Sequence, residues 1–320
     1  MLTTAIVLAA IVNPSAPTAI TVTRVKTFAH IRTTAIAASP KGAVFAVASE
    51  DNRVRIMDAV KLTSIHTLDG HPRTPYALAF SRDGKFLLTG DESARIWLWD
   101  VKTGKKIREF SRDRGHTRGI QAFAFAPNGK TFASVGKDDV IKIWNTSGGH
   151  PTNTIKGVGA NFFGIAYLPS GGLVTGTLLE GMRLYAPKGF TLAATLRVGG
   201  GEGANEIAIN KAGTLCFTAC RDGRVVVWDI KKRAKIGAIK AHSDWVLNVA
   251  IAPNGKIGAS SASDGHVVLW DVKTLQPLAT ISGQAYVDSL VAFTSDGRHI
   301  LTTDASNALQ IHSLNPRQNR

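Results

Sequence analysis

His242–Asp271 reads HSDWVLNVAIAPNGKIGASSASDGHVVLWD, and its punctuation decides the fold. A short apolar run, Val249–Ile251, leads into Pro253-Asn254-Gly255. Asn-Gly reaches positive φ at low cost, so this is a hairpin turn between two strands. A second run follows the turn. After the polar turn at Asp264-Gly265 a third, His266–Trp270, shows the period-two pattern of a strand with one face buried. The same spelling recurs along the chain. Ala250 and Gly255 are one of seven Ala/Gly pairs, the others being Ala37/Gly42, Ala79/Gly84, Ala124/Gly129, Ala166/Gly171, Ala208/Gly213 and Ala292/Gly297. Successive pairs lie 42 residues apart, except for one step of 45. A period of this length marks a repeat architecture, in which no unit buries its own apolar face and neighbours must stack. Such arrays more often form binding platforms than catalytic sites.

The other units repeat the pattern. First runs occur at Ala77–Phe80, Ala122–Phe125 and Ile207–Ile209, second runs at Lys85–Thr89 and Thr131–Val135, and third runs at Arg95–Trp99, Val140–Trp144 and Arg224–Trp228. A fourth, more polar run closes the unit, as in Lys105–Phe110 and Lys235–Ile239. Four short antiparallel strands make a propeller blade. The predicted fold is therefore an all-β, seven-bladed β-propeller with four antiparallel strands per blade. The seventh unit runs out at Leu314 after three strands, so Ile20–Phe28 is expected to supply the fourth and close the ring by pairing with Leu309–Leu314. Without it the last blade would carry an open edge.

These residues resemble the WD-repeat (WD40) family. The Trp-Asp pair stands at Trp99-Asp100, Trp228-Asp229 and Trp270-Asp271, with Trp144-Asn145 as a near match, and each Trp lies 15 residues after its turn Gly. His71, His116 and His242 each lie 13 residues before that Gly. The resemblance implies a buried hydrogen-bonded set of His, Ser/Thr, Asp and Trp in each complete unit. The third unit matches fully with His116, Ser134, Asp138 and Trp144, and the sixth with His242, Ser260, Asp264 and Trp270. The fifth keeps Thr218, Asp222 and Trp228 but has Gly200 in the His slot. The second keeps His71, Thr89 and Trp99 but has Ser93 in the Asp slot. The first has Met57 for Trp, and the fourth and seventh are degenerate, with Tyr185 and His312 in that slot. His, Ser and Asp together suggest a hydrolytic triad, but a nucleophile needs an exposed oxygen and an oxyanion hole. Recurrence at fixed spacing in separate blades is the mark of a structural network instead. No catalytic residue is assigned.

The resemblance also places partner-facing residues at the channel mouth where the inner strands begin. They are Thr74 and Tyr76, Gly119 and Gln121, Asn161 and Phe163, Gly203 and Asn205, Trp245 and Leu247, and Val287 and Ser289. The residue before each Asp slot joins them, including Glu50, Glu92, Lys137, Leu179 and Arg221. Tyr76, Phe163, Arg221 and Trp245 are the candidate contacts, because aromatics and Arg dominate binding energy. The loop Ser111–Gly119 carries the three-residue insertion and is expected to protrude beside the same face.

Composition narrows the remaining classes. The 320 residues suit one domain over 20–314, with a polar tail at 315–320. Residues 1–19 hold the apolar stretch Ala5–Val12 before Asn13-Pro14-Ser15-Ala16-Pro17, which reads as a secretory signal or a tail, export being favoured over a cytoplasmic location. No run is long enough to span a membrane. Cys216 and Cys220 lie four apart on one strand, roughly 13 Å between Cα atoms, which excludes a disulfide between them. No metal motif accompanies them, and no cofactor is expected. The net charge of +15 gathers in Lys102–Arg118 and Arg221–Lys240. A basic rim suits nucleic acid, anionic lipid or an acidic partner, but no stacking aromatics are interleaved, so solvated edge strands are the simpler reading. The expected function is a non-enzymatic, monomeric scaffold binding a protein or peptide. An exported propeller enzyme or small-ligand binder and a basic nucleic-acid-associated module are the alternatives.

Overall fold

A computed structural model describes residues 20–157, 159–199, 203–286 and 289–316. The expectations for 1–19, Gly200 and Val287 fall outside these residues. Every regular element among them is a strand, and none of them forms a helix long and apolar enough to cross a membrane.

The architecture is an all-β propeller, but not one of seven four-stranded blades. Five antiparallel four-stranded sheets correspond to the second through sixth units, and a single seven-stranded sheet contains the rest. Its order is Val291–Phe293, His299–Thr303, Ala308–Pro316, Ile20–Ala38, Val44–Ser49, Val54–Asp58 and Thr63–Leu68. The seven-blade prediction is thus corrected to five blades plus one larger sheet. The cause is Ile20–Ala38, a 19-residue strand where two separate ones were expected. The sequence ITVTRVKTFAHIRTTAIAA has neither Gly nor Pro and is rich in β-branched residues, so nothing ends the strand. From Ile20↔Pro316 to Arg32↔Ala308 it pairs with the C-terminal strand, and from Thr33↔Ser49 to Ala38↔Phe45 with the next one. A register shift between Phe28 and Arg32 marks the crossover, where a bulge bends the strand without terminating it.

Sheets stack face to face around the axis. Ala35, Ala46 and Ile56 of the first unit pack with Leu87, Trp97 and Trp99 of the second. Ala259 and Leu269 of the sixth pack with Val291 and Ile300 of the seventh. The third strand of a blade is therefore covered on both faces. Val267–Trp270 and Val225–Trp228 are buried at every position, which corrects the one-sided alternation read from sequence. Burying one Trp removes about 200 Å² from water, on the order of 5 kcal/mol before entropy is counted. The turns between first and second strands depend on glycine at its special conformation, with Gly129 at φ 67° and Gly255 at φ 69°.

The innermost strands run in the same direction around the axis. Thr34 Oγ1 donates to the Pro75 carbonyl at 2.6 Å and Asn205 Nδ2 to the Val246 carbonyl at 2.9 Å, tying the beginnings of adjacent inner strands together. One mouth of the channel therefore carries all the strand beginnings, and the other carries the Ala/Gly turns.

Candidate functional site

The buried polar sets tie the strands of a blade together. In the third unit Trp144 Nε1 donates to Ser134 Oγ at 2.8 Å, His116 Nε2 lies 2.7 Å from that oxygen, and His116 Nδ1 lies 2.8 Å from Asp138. The carboxylate can only accept, so Nδ1 carries the proton, Nε2 accepts from the Ser hydroxyl, and that oxygen accepts from the indole. Burial works against the Asp138 carboxylate, but the His116 hydrogen bond and the Thr117 amide outweigh it and hold its pKa below the usual range. Ser134 and Ser260 are fully buried. Each hydroxyl is committed to a neighbour, an arrangement without room for nucleophilic attack.

Two units depart from their letters. In the second, His71 Nδ1 meets Asp91 Oδ2 at 3.0 Å, His71 Nε2 meets Thr89 Oγ1 at 2.7 Å, and Trp99 Nε1 donates to Thr89 at 2.9 Å. The set is complete, with Asp91 supplying the carboxylate two residues before the Ser93 slot. Ser93 itself donates to Asp91 through both its amide and its hydroxyl, at 2.9 and 2.8 Å. In the sixth, His242 lies 3.1 Å from Asp264 and 2.8 Å from Ser260, but Trp270 Nε1 has no partner. Its ring lies over Gly258, in the space a Cβ there would occupy. The cross-strand partner is Phe132 for Trp144 and Gly258 for Trp270, so the indole settles into the space that the missing side chain leaves. Trp270 therefore belongs to the packing of its blade and not to its hydrogen-bonded set. In the fifth unit Trp228 donates to Thr218 at 3.0 Å while Asp222 turns to Arg224. In the seventh His312 Nε2 lies 3.1 Å from Thr302 Oγ1. Burial, with the nearby Arg24 charge, pushes the His312 imidazole down to about 4.

At the mouth with the strand beginnings, Trp245 is 45% exposed and Tyr76 36%. The Arg221 guanidinium stacks 4.3 Å from the Trp245 ring and is steadied by Asn205 Oδ1 at 3.3 Å. Asn205 in turn holds the Val246 carbonyl, so four residues from two adjacent units lock together. Across a second junction Lys137 Nζ sits 5.5 Å from the Tyr76 ring. Arg32 and Glu50 neutralise one another at 2.9 Å. Phe163 is half-buried in its inner strand and joins none of these pairs. Three of the four candidate contacts thus sit in cation–aromatic pairs, and Phe163 stands apart.

Other expectations change. Ser111–Gly119 does not stand up beside the mouth. Ser111 N donates to the Gly149 carbonyl at 2.8 Å, and Lys142 Nζ to the Arg114 carbonyl at 2.7 Å, folding the loop onto the outer strands of the third unit. Part of the basic rim is engaged as well: Lys106 Nζ lies 4.0 Å over the Trp97 ring and Lys232 4.0 Å from Asp229. Cys216 and Cys220 are both free and buried, and burial pushes the Cys220 thiol up to about 11. Sequence reading missed Glu206. It lies on an inner strand with Oε1 accepting from Ile207 N at 2.9 Å, and burial lifts its carboxyl to about 7. It fits because Gly164 of the preceding unit leaves room beside that oxygen. Its signal was weak: equivalent positions hold Ala35, Ala77, Ala122 and Gly164 but also Asn248 and Leu290, so only the carboxylate itself sets Glu206 apart. Among the described residues no group of His, Cys, Asp and Glu is arranged to hold a metal.

Comparison with known proteins adds a family. The model described as "WD domain, G-beta repeat" matches residues 22–58, 62–100, 104–145, 194–229 and 233–271, more than half of the chain. The nuclear distribution protein PAC1 of Arthroderma otae is 23% identical over 229 residues, covering 68% of this chain and 44% of that protein. WD repeat-containing protein 1 of Gallus gallus is 28% identical over 116 residues, 36% of this chain and 19% of that protein. The meiotic recombination protein rec14 of Schizosaccharomyces pombe is 27% identical over 111 residues, 35% of this chain and 36% of that protein. The chain thus spans less than half the length of each of these relatives.

Proposed function

Because this chain belongs to the WD-repeat family, we propose that it works as a non-enzymatic scaffold whose channel mouth, at Tyr76, Phe163, Arg221 and Trp245, grips a protein or peptide segment. Proteins of this family serve generally as interaction scaffolds. The ring over residues 20–314 is the working unit. The observation that carries the reading is the exposed Trp245 ring with Arg221 stacked on it and Asn205 holding the guanidinium. Trp and Arg are the side chains that most often dominate interface energy. A pair already held in one geometry loses less conformational freedom on binding.

The test begins with peptides selected from a random library on the full chain. Trp245→Ala should weaken the selected binders by about thirtyfold or more, equivalent to about 2 kcal/mol. Lys232→Glu on the outer rim should change association rate and salt dependence more than affinity. Binders indifferent to Trp245 but lost with Lys232→Glu would move the working surface to the rim.

A further inference from the structure

The opposite mouth, ringed by the Ala/Gly turns, opens into a cavity of about 670 Å³. Sequence explains why there is room. The residue after each recurring Ala is Phe80, Phe125, Tyr167, Ile209, Ile251 or Phe293 in six units, but Ala38 in the first. Ile209, Ile251 and Phe293 bring large side chains to the lining, and Ala38 brings a small one that leaves a gap beside them, while Phe80, Phe125 and Tyr167 pack between blades. Ala38, Ile209, Ile251 and Phe293 line the apolar wall. The turns above it contribute Lys41, Arg82 and Lys211. None of these three cations has a carboxylate partner among the described residues. The single acid of the lining, Asp83, is engaged by the Ser81 hydroxyl at 2.7 Å and by Lys85 at 3.9 Å.

We propose that this cavity binds a small organic anion with an apolar body, its acidic head between Lys41, Arg82 and Lys211 and its body against Ile209, Ile251 and Phe293. The volume falls within the range of about 300–1,000 Å³ typical of small-molecule sites, which are mostly apolar with a few placed polar groups. Three cations against one committed acid set the sign of the ligand. A cationic or neutral apolar molecule would leave them unpaired at the rim of an apolar wall. The site is separate from the Trp245 mouth, because the two lie at opposite ends of inner strands about 20 Å long. A ligand here therefore leaves the scaffold face free.

The experiment titrates the full chain with anilinonaphthalene sulfonate, an apolar anion whose fluorescence rises on leaving water, and then competes it with decanoate or with decyltrimethylammonium. Saturable binding of one dye per chain is expected, displaced by decanoate and at least about tenfold less well by the cation. Ala38→Phe, which restores the bulk found in other units, should weaken binding by about tenfold or more. Arg82→Glu with Lys211→Glu should do the same for decanoate without touching the cavity wall, so a folding defect in the first variant does not decide the matter. Circular dichroism checks each fold. Displacement by both amphiphiles alike, or binding unchanged in both variants, would overturn the site. So would dye binding abolished by Trp245→Ala, which would place the dye at the other mouth.

Discussion

The second and sixth units teach opposite lessons about the same four-residue set. The sixth has every expected letter, yet its Trp270 indole makes no hydrogen bond. The second lacks the expected Asp, yet all of its bonds form, through Asp91. What matters is whether a group reaches its partner through space, and that depends on the neighbouring side chains. Gly136 in the third unit occupies the position of Asp91, and a Cβ there would press on His116 and Asp138. In six of the units a carboxylate at one of the two positions goes with a small residue at the other, while the fourth has Leu178 before Glu180. The seventh unit follows the second. Asp304 accepts from the Ser306 and Ala308 amides, as Asp91 does from Ser93 and Arg95.

The largest effect that tests this contrast is expected at Asp91. Its carboxylate is fully buried, whereas that of Asp264 is 12% exposed. Asp91→Gly leaves His71 and three local donors without their acceptor and should cost about 3–5 kcal/mol in denaturant titration. Asp264→Ala should cost less, about 1.5–3 kcal/mol. Adding Ser93→Asp to Asp91→Gly moves the carboxylate to the slot used by Asp138 and should recover more than half of the loss. No recovery would mean that the two positions are not interchangeable.

Next comes the pH response of His312, a third way of filling the Trp slot. Its folded pKa of about 4 lies below the ordinary 6.5, so the unfolded chain binds more protons between these values. Stability must therefore fall as pH drops from 6.5 towards 4, by up to about 3 kcal/mol. His312→Gln does not titrate and should flatten that slope in urea melts across the window. The depressed carboxylates Asp91 and Asp138 act lower down: their contribution is complete above the ordinary 3.8 and is lost as pH falls below it.

Smaller still is the difference between two indoles. Trp144→Phe removes a donor to Ser134 and should cost about 1–2 kcal/mol more than Trp270→Phe, which removes an unpaired one. Equal losses would show that Trp270 finds Ser260 in solution. The smallest change is Ser93→Ala, about 1 kcal/mol or less, since the Ser93 amide and the Arg95 amide still hold Asp91.

The seven Ala/Gly pairs and the apolar runs around them were legible, because a strand and its turn are properties of a few consecutive residues. The positions expected at the mouth came from the family resemblance and not from the spacing itself, and the structure puts Tyr76, Arg221 and Trp245 in cation–aromatic pairs there. The cation–aromatic stacking was not legible, because Arg221 and Trp245 come from different units and meet only across a blade junction. The folded-back Ser111–Gly119 loop escaped because its partners, Lys142 and Gly149, come later in the third unit and meet it only once the blade is folded.

Sequence alone thus determined that the chain is a repeating array of hairpins, because backbone preference and apolar periodicity act over five to ten residues. Tertiary structure decided the rest: that Ile20–Ala38 passes unbroken between two partners in one seven-stranded sheet, that Asp91 serves where Ser93 stands in the slot, and that Trp270 lies over Gly258. Each of these turns on which atoms come within about 3–4 Å of one another, and steric exclusion by a distant residue, or the space left by its absence, carries no mark in the local pattern.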